Sequence, residues 1–520
     1  MGETFLRSPL RTPRGRFLVS LPPRGEFLLG TPELVGQTSD QGFCIPVQEM
    51  VAVRLGAASE AKQVLDPRGD ENCFTVFFVR REKQERWSLG SLEFTTPPQS
   101  RMAIRWVNAL QTWICHHGVT RPKSLLVFIN PAGGRKRAME IYQDQVASLF
   151  ALAGIHVHVV ETCRADEARD YIMQQDLCSF DGLVSVGGDG TFNELMHALI
   201  DRTQQKAGRL EGDVDMELLA PRLRIGIIPA GSTDCICFAT VGINDPITSA
   251  LHIIIGDSQP LDVCSIRHNG KRLRYSVSLI GYGFYGDVVS ASERYRWMGP
   301  VRYTYAGAKA VLGNQSYKGT VEFQVAGTEA ANPRDQTRCR SGCLVCSESS
   351  KHLLAQCEEE KLSEPEGEWQ KVQGRFLAVN VTCMSSACPK SPEGLSPCAH
   401  LADGTADLIL VHECSMFSFL RHLNRHTNCS DQFDLPFVSV HRVRAVRFTS
   451  AKLEDYEDGE PAVQERKGLC GGICQQEEPV SCWSCDGETL SHTDISIRVH
   501  GRLIHLFARG IEQVPMGGSC

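Results

Sequence analysis

Three glycine-rich stretches hold the residues of this sequence that are best suited to chemistry, and each of them follows an apolar run. The stretches are Asn130, Pro131, Ala132, Gly133 and Gly134; Gly187, Gly188, Asp189 and Gly190; and Ala230, Gly231, Ser232, Thr233 and Asp234. Glycine lets backbone N–H groups approach a phosphate closely, and a helix that begins after such a loop adds partial positive charge. One loop of this kind is an ordinary strand-to-helix turn, but three of them predict a phosphate-binding edge.

Asp189 is the carboxylate that the glycines of the second stretch surround. It is either a helix N-cap, a position that Asp favours, or a carboxylate that the turn presents to a ligand. The stretches match neither the G-x-x-x-x-G-K-[ST] phosphate loop nor the G-x-G-x-x-G dinucleotide fingerprint. The residue types alone leave both interpretations of Asp189 open.

The elements that must position these stretches alternate between strand and helix patterns over residues 120–270. Apolar strand patterns such as SLLVFIN and FDGLVSV precede the loops, and helix patterns such as AMEIYQDQVASLFALAG and NELMHALI follow them. This alternation predicts an α/β lobe with a doubly wound parallel sheet. Ligands bind beyond the carboxyl ends of the strands in such sheets, and all the glycine loops fall there.

Both flanks of this region have β-rich patterns. Residues 1–117 contain short strand patterns separated by Gly/Pro-rich turns and end in one amphipathic helix pattern, an arrangement similar to a pleckstrin-homology domain. Their basic stretch from Arg80 to Lys83 faces either anionic headgroups or solvent. Residues 271–520 alternate in the manner of a β-rich, sandwich-like second lobe, which includes LRYSVSLIGYGFYGDVV. Polar insertions at about 327–368 and 453–481 are expected to be loops or disorder.

The composition narrows the functional classes. The chain has 520 residues, a net charge of −7 and 42% hydrophobic residues, values typical of a globular protein and unlike those of a protein that coats nucleic acid. No apolar run approaches the roughly 20 residues of a membrane-spanning helix, and the N-terminus lacks an apolar signal core. We therefore expect a cytoplasmic protein, peripheral on membranes, with no nucleic-acid partner. In such a protein its 22 cysteines are expected to be free thiols or metal ligands, in preference to disulfides.

The order of the motifs carries a resemblance to a known superfamily. NPAGG, then GGDGT-x-x-E, then IPAGSTD and late in the chain CDGE together resemble the diacylglycerol and sphingosine kinases. LRIGIIPAGSTDC, LRYSVSLIGYGFYGD and QFDLPFVSVHRV resemble the ceramide kinase branch, and the resemblance spans nearly the whole chain. It implies an ATP- and magnesium-dependent lipid kinase that phosphorylates the primary hydroxyl of ceramide to ceramide 1-phosphate. Three alternatives stay open: a sphingosine or diacylglycerol kinase, an NAD kinase, and a catalytically silent membrane-binding adapter of the same fold.

The resemblance also implies the role of single residues. Asp189 is the general base that takes the proton of the lipid hydroxyl, and Gly187, Gly188, Gly190 and Asp287 contact the substrate. Val289 stands where sphingosine kinases have a substrate-binding carboxylate, and this departure leaves Asp287 as the substitute. The residues implied for the nucleotide are Asn130, Pro131, Ala132, Gly133, Gly134, Thr162, Glu194, Ser232, Thr233, Arg296, Arg302, Asp486, Gly487 and Glu488. Asp486 and Glu488 are also implied as magnesium ligands.

Two cysteine groups have spacings that suit a metal. Cys339, Cys343 and Cys346 form a C-x-x-x-C-x-x-C cluster. Its spacing suits zinc, with His352 or Cys357 as the fourth ligand. A redox-sensitive or structural thiol cluster is the alternative. The looser second group contains Cys470, Cys474, Cys482 and Cys485.

Residues 416–428, MFSFLRHLNRHTN, form a basic amphipathic helix pattern. Such a pattern is typical of a calmodulin target, of a membrane-surface helix or of a helix packed on its own protein. With the resemblance, it predicts calmodulin as a partner and calcium as a regulator. The resemblance further implies binding to Golgi or plasma membranes through residues 1–117.

Overall fold

The computed structural model describes residues 6–13, 15–21, 26–32, 44–57, 72–134, 136–209, 217–299, 301–327, 332–349, 368–426, 431–450 and 479–512. The chain groups into two compact units. The first comprises Met1–Ala198, Arg222–Gln259 and His505–Cys520, and the second comprises Leu199–Pro221 and Pro260–Ile504. The predicted division into residues 1–117, 120–270 and 271–520 follows sequence patterns and stays a prediction.

The N-terminal part of the first unit is an antiparallel sheet closed by one helix. Its elements are β1 Leu6–Thr12, β2 Gly15–Leu21, β3 Glu26–Pro32, β4 Cys44–Pro46, β5 Met50–Leu55, β6 Cys73–Arg81, β7 Trp87–Thr95 and α1 Met102–His117. The strand order is β4-β3-β2-β1-β7-β6-β5. The apolar face of α1 buries Trp106 and Leu110 completely, and the Trp106 ring stacks on Phe74. The predicted pleckstrin-homology-like module is confirmed.

The remainder of the first unit alternates strands and helices. Its elements are β8 Ser124–Ile129, α2 Ala138–Ile141, a π-helical turn Tyr142–Val146, α3 Ala147–Leu152, β9 His156–Glu161, α4 Glu167–Gln174, β10 Gly182–Gly187, α5 Asp189–Lys206, whose residues from Leu199 onward belong to the second unit, β11 Arg224–Pro229, α6 Cys235–Val241 and α7 Pro246–Ile255. The four strands are parallel in the order β9-β8-β10-β11. The order reverses between β8 and β10, and such a switch point opens a ligand crevice beyond the strand ends. The predicted doubly wound parallel sheet is confirmed.

The second unit is rich in antiparallel strands. Its elements are β12 Gln259–His268, β13 Lys271–Ser276, β14 Leu279–Gly283, α8 Phe284–Glu293, α9 Val301–Gly313, β15 Tyr317–Val325, α10 at 344–349, β16 Trp369–Thr382, β17 Ala406–His412, α11 Met416–Arg425, β18 Val438–Ser450, β19 Trp483–Cys485, β20 Glu488–Thr489 and β21 Ile495–Leu506, whose last residues belong to the first unit. The strands follow the order β20-β19-β14-β16-β15-β18-β21, with β17 paired to β16 and β18, and β12 paired to β13 and β21. The predicted β-rich second lobe is confirmed.

Two sequence predictions within the second unit are wrong. The stretch LRYSVSLIGYGFYGDVV does not continue as a strand, because Gly283 adopts a φ of 76° and the chain turns there into α8. A Cβ at Gly283 would collide with the backbone carbonyl of Leu377, so only glycine allows this turn. The first polar insertion is not entirely irregular either, since residues 344–349 are helical. Residues 328–331, 350–367 and 453–478 of the two insertions lie outside the described residues.

One residue of the predicted headgroup-binding stretch, Arg81 at the end of β6, forms ion pairs within the first unit. The Arg81 guanidinium lies 2.6 Å from Glu49 Oε2 and 2.8 Å from Glu512 Oε2. Arg80, by contrast, pairs with Glu82 of the same stretch, and Lys83 is exposed. Arg81 therefore stabilises the contact of the hairpin with the C-terminal segment, and its charge is already paired with two carboxylates.

No single helix in the described part of the chain is long and apolar enough to cross a membrane. Two helices, α6 and α7, reach the required length and apolar composition only when they are taken together, and they are bent by 57° relative to each other.

Candidate active site

The three glycine loops meet at the switch point of the parallel sheet. They follow β8, β10 and β11, which are neighbours in that sheet. Their backbones approach so closely that a Cβ at Gly231 would lie 2.6 Å from Gly188 Cα, and a Cβ at Gly134 would lie 2.7 Å from Gly231 Cα. These glycines are therefore required by the contact of loop with loop.

Asn130 shapes the first loop and links it to the second. Its side-chain oxygen accepts hydrogen bonds from the backbone N–H groups of Ala132 and Gly133, at 3.1 and 3.0 Å. Its Nδ2 donates to Thr191 Oγ1 at 3.2 Å. Asn130 thus acts on the loop conformation, as asparagine does in tight turns.

Asp189 is the first residue of α5, and its carboxylate caps a different helix. The backbone N–H of Cys235 donates to Oδ2 and that of Ile236 donates to Oδ1, both at 3.0 Å. These are the first N–H groups of α6, which have no partner inside that helix. Burial raises the pKa of Asp189 above its usual value, although the two N–H donors act in the opposite direction. The cap interpretation is correct in kind, but the capped helix begins 46 residues later in the sequence.

Glu194 and Thr162 are likewise held by neighbouring backbone. Glu194 Oε1 accepts a hydrogen bond from the N–H of Arg169 in the first turn of α4, at 3.2 Å. Burial raises its pKa. Thr162 follows β9 and donates from Oγ1 to the carbonyl of Ile129 at 3.2 Å. These contacts orient both side chains, and the nucleotide roles of both residues stay predictions.

Several groups at the loops face open space. Apart from its chain neighbours and the backbone of its own helix, Gly190 has no heavy atom within 4 Å of where a Cβ would lie. Ala132, Gly134, Ser232 and Thr233 are exposed, and Pro131 and Gly133 are partly exposed. Asp234, which the sequence analysis did not assign, accepts the N–H of Gly231 with both carboxylate oxygens and so closes the third loop. The loops can accommodate a ligand with negatively charged oxygens.

The DGE motif lies in the second unit, and its two carboxylates have different surroundings. Asp486 Oδ1 and Oδ2 accept four hydrogen bonds, from the Ser276 hydroxyl and the backbone N–H groups of Val277, Ser278 and Leu279. Burial raises the pKa of Asp486. Gly487 has a φ of 88° and completes the turn, and Glu488 is about half exposed, 2.6 Å from Arg274. The geometry makes Asp486 a fold-stabilising residue and leaves Glu488 as the accessible carboxylate.

Asp287 borders a cavity of the second unit. The hydroxyls of Tyr317 and Ser481 each donate to its carboxylate at 2.6 Å. Burial raises the pKa of Asp287. The cavity has a volume of about 200 Å³, and the lining includes Phe284, Asp287, Ala306, Ala310, Leu377 and Phe419. It is a mainly apolar cleft with a carboxylate in its wall, as small-molecule sites usually are, but it is smaller than most of them.

Of the two arginines predicted to contact the nucleotide phosphates, the structure describes the side chain of Arg302 but not that of Arg296. Arg302 lies 3.8 Å from Glu293 and donates to the hydroxyl of Tyr303 at 2.7 Å. Its guanidinium is therefore occupied within the α8–α9 region. The side chain of Arg296 lies outside the described atoms, and both roles stay predictions.

The predicted zinc cluster has a fourth partner that the sequence analysis missed. His400 lies beside Cys339, Cys343 and Cys346, whereas the predicted fourth ligands His352 and Cys357 are outside the described residues. His400 carries no spacing signal, because 53 residues separate it from Cys346. Of the second group, Cys470 and Cys474 are not described, and Cys485 is buried.

The chain is similar to known proteins over its whole length. Successive family models match it: the ceramide kinase PH domain at residues 6–110, the diacylglycerol kinase catalytic domain at 124–266 and the ceramide kinase C-terminal domain at 278–517. Ceramide kinase of Homo sapiens is 42% identical over 542 residues, covering 100% of each chain. Ceramide kinase of Mus musculus is 47% identical, over 85% of this chain and 84% of the relative. Ceramide kinase of Arabidopsis thaliana is 32% identical, over 84% and 81%.

Proposed function

The chain belongs to the ceramide kinase family, and on this premise we propose that it transfers the terminal phosphoryl group of ATP to the primary hydroxyl of ceramide. The observation that carries the proposal is the meeting of three glycine loops around Asp189 at the switch point of the sheet. Phosphoryl transfer demands positioning and charge stabilisation more than covalent chemistry. Closely packed loops with exposed backbone provide the positioning.

We propose Asp189 as the general base. Its two oxygens offer about four lone-pair positions, and two of these accept the N–H groups of Cys235 and Ile236. The other positions can accept the hydroxyl proton of the lipid, while α6 fixes the orientation of the carboxylate. Because burial raises its pKa, the carboxylate binds a proton more readily than an exposed Asp does.

ATP fits the exposed backbone and the hydroxyls of Ser232 and Thr233 at the loops. Magnesium, when bound, neutralises the charge of the phosphates. It prefers oxygen ligands, keeps several waters and often takes one or two carboxylates with substrate phosphates. Glu488 suits that environment because it is about half exposed, and magnesium would displace its ion pair with Arg274, whereas the oxygens of Asp486 already accept four hydrogen bonds. We therefore assign Glu488, and not Asp486, as the candidate magnesium ligand.

We propose that the cavity beside Asp287 receives part of the lipid. Its apolar wall suits a hydrocarbon chain, and its carboxylate suits a hydroxyl or amide N–H of the headgroup. The variant Ala310→Phe fills the cavity, and we expect it to raise the KM for ceramide several-fold. Ala310 and Leu312 both lie in α9, and Leu312 is on its exposed side. Leu312→Phe is therefore the matched control and should leave the KM unchanged. An unchanged KM in Ala310→Phe contradicts this assignment.

We propose that the protein is cytoplasmic and binds Golgi or plasma membranes peripherally through residues 1–117. The match to a PH domain and the exposed Arg80 and Lys83 support this proposal. Vesicles of phosphatidylcholine with anionic lipid should bind the full chain, and the double substitution Arg80→Glu with Lys83→Glu should weaken binding several-fold. Equal binding of both proteins contradicts the role of this stretch.

Calcium-dependent calmodulin binding at residues 416–428 requires a rearrangement of α11. A target helix inserts its apolar side chains into calmodulin, but Phe419 is buried against Phe284 and only Phe417 and Leu420 present large exposed apolar groups. Residues 427 and 428 are not described. We propose that α11 packed on its own unit is the resting state, so that calmodulin binding should be slow and limited by release of Phe419.

The central experiment offers labelled ATP to the purified full chain with ceramide, sphingosine, diacylglycerol or NAD as acceptor. We expect ceramide to be preferred, and Asp189→Asn to lose at least about 100-fold in kcat. Asp245→Ala serves as control, because Asp245 caps α7 in the same unit without lying at the glycine loops. A preference for another acceptor, or full activity of Asp189→Asn, overturns the proposal.

A further inference from the structure

Three cysteines and one histidine of the second unit form a compact group. Their potential ligand atoms, the sulfur atoms of Cys339, Cys343 and Cys346 and a ring nitrogen of His400, all lie within 4.8 Å of one another. Cys346 and His400 are buried, and Cys339 and Cys343 are partly buried. Among the described residues, this is the one group of His, Cys, Asp and Glu side chains that meets the geometry of a metal site.

The distances correspond to the edges of a tetrahedral zinc centre. With Zn–S bonds of about 2.3 Å and Zn–N bonds of about 2.0–2.1 Å, two sulfurs lie about 3.8 Å apart, and a sulfur and a nitrogen about 3.6 Å apart. The Cys339 and Cys346 sulfurs are 3.7 Å apart, and Cys343 Sγ is 3.3 Å from His400 Nδ1. These two separations thus match a site that one zinc ion would fill.

The surroundings favour thiolate ligands over a disulfide. The Cys339–Cys346 separation exceeds the S–S bond length of about 2.05 Å by more than 1.5 Å, and a bond between these two would leave Cys343 and His400 without a role. The backbone N–H of Leu401 points to Cys339 Sγ at 3.5 Å, a contact that stabilises a sulfur with negative charge.

The group joins two segments that are distant in sequence. Cys339, Cys343 and Cys346 belong to the turn before α10 and its first residues, and His400 precedes β17. The segment of His400 is itself anchored in the unit, because the Leu401 carbonyl accepts the N–H of Asp262 at 2.7 Å. We propose that Cys339, Cys343, Cys346 and His400 bind one structural zinc ion that fixes residues 339–346 to this segment.

The first test measures the metal content of the full-length protein by inductively coupled plasma mass spectrometry. The protein is purified without chelator. We expect one zinc per chain, and a loss to background in Cys343→Ser and His400→Ala. His400→Cys offers a fourth thiolate and should restore zinc, which an effect on folding alone would not do. Cys178→Ser, an exposed thiol elsewhere, is the control and should keep one zinc.

The second test does not depend on variants that fold poorly. Cobalt(II) exchanged into the wild-type protein should give the intense d–d and thiolate charge-transfer absorption of a tetrahedral site with three sulfur ligands. Absence of zinc together with absence of this spectrum overturns the proposal. So does one zinc per chain in Cys343→Ser, or a Cys339–Cys346 disulfide found by mass spectrometry in metal-free active protein.

Discussion

At the residue scale, structural and catalytic demands fall on the same carboxylate. Asp189 accepts the first two N–H groups of α6 and is also the proposed base. Asn can accept a hydrogen bond from one of these N–H groups, but its NH₂ group then faces the other. Substitution by Asn therefore removes the charge and part of the cap together, and a stability measurement has to accompany the activity measurement.

We predict that the pH profile reports the ionisation of Asp189. A base acts only when it is unprotonated, and burial raises the pKa of Asp189 above the ordinary value of about 3.9. The acid limb of kcat/KM should therefore lie at a higher pH than that of an ordinary Asp, with activity falling as the pH decreases. The limb should persist in Asp245→Ala and vanish from the residual activity of Asp189→Asn; a limb that persists in Asp189→Asn contradicts the assignment.

We predict opposite effects for two glycines of neighbouring loops. Gly231→Ala places a methyl group 2.6 Å from Gly188 Cα, and overpacking of this kind costs about 1–3 kcal/mol. Its apparent Tm should fall by a few degrees in thermal unfolding. Gly190→Ala meets open space within a helix, so its Tm should stay unchanged or rise slightly. Equal Tm values for the two variants would show that the loops are not in close contact.

At the element scale, the β6–β7 hairpin is held by charged and aromatic contacts to α7 and the C-terminal segment. The Trp87 ring stacks on His252, with ring centroids 3.8 Å apart, and its Nε1–H donates to Glu512 at 3.0 Å. Burial alone would raise the pKa of Glu49, but hydrogen bonds and charge from Arg81 and Arg509 lower it overall. The contribution of Glu49 to stability is therefore present at neutral pH and is lost as the pH falls through its lowered pKa.

We predict that Arg81→Ala loosens this hairpin and that Arg80→Ala does not. Arg81 contacts Glu49 and Glu512, whereas Arg80 pairs with Glu82 of the same stretch. Limited proteolysis of the full chain should cleave the N-terminal module several-fold faster in Arg81→Ala than in wild type. The cleavage rate of Arg80→Ala should match that of wild type. Equal cleavage rates for the two variants would contradict a role of the Arg81 ion pairs in holding the hairpin.

At the scale of the whole molecule, the N-terminal module and the parallel sheet of the first unit share one apolar core. Val51, Phe77 and Trp87 of the module belong to the same buried cluster as Leu125 and Val127 of β8. The module is thus an integral part of its unit. A membrane-binding test by removal of residues 1–117 would disturb the fold as well as the membrane contact.

We predict that a chain lacking residues 1–117 aggregates or unfolds at a much lower temperature than the full chain. The reason is the exposure of the apolar side chains that the module covers. In the full chain, Trp87→Ala should lower the Tm by several degrees, since truncation of a buried Trp costs about 3–5 kcal/mol. Trp297→Ala should leave the Tm unchanged, because Trp297 is 82% exposed. A truncated chain as stable as the full one would refute the shared core.

The sequence by itself determined the class of elements and the edge at which the site lies. Apolar runs, helix periodicity and glycine stretches are local signals, and their order alone predicts a parallel sheet with three loops at one edge. The order of the motifs also indicated the family. Helix α8 was missed because the same apolar residues suit a strand until Gly283 turns the chain.

The tertiary structure alone decided what each side chain does. It brought Asp189 to the start of α6, enclosed Asp486 in a turn of the second unit, took Arg81 into an ion-pair network and placed His400 beside three cysteines. Each contact joins residues that are distant in sequence. Their meeting depends on how the elements pack, and no local pattern records this packing, because propensity and periodicity act over only a few turns of the chain.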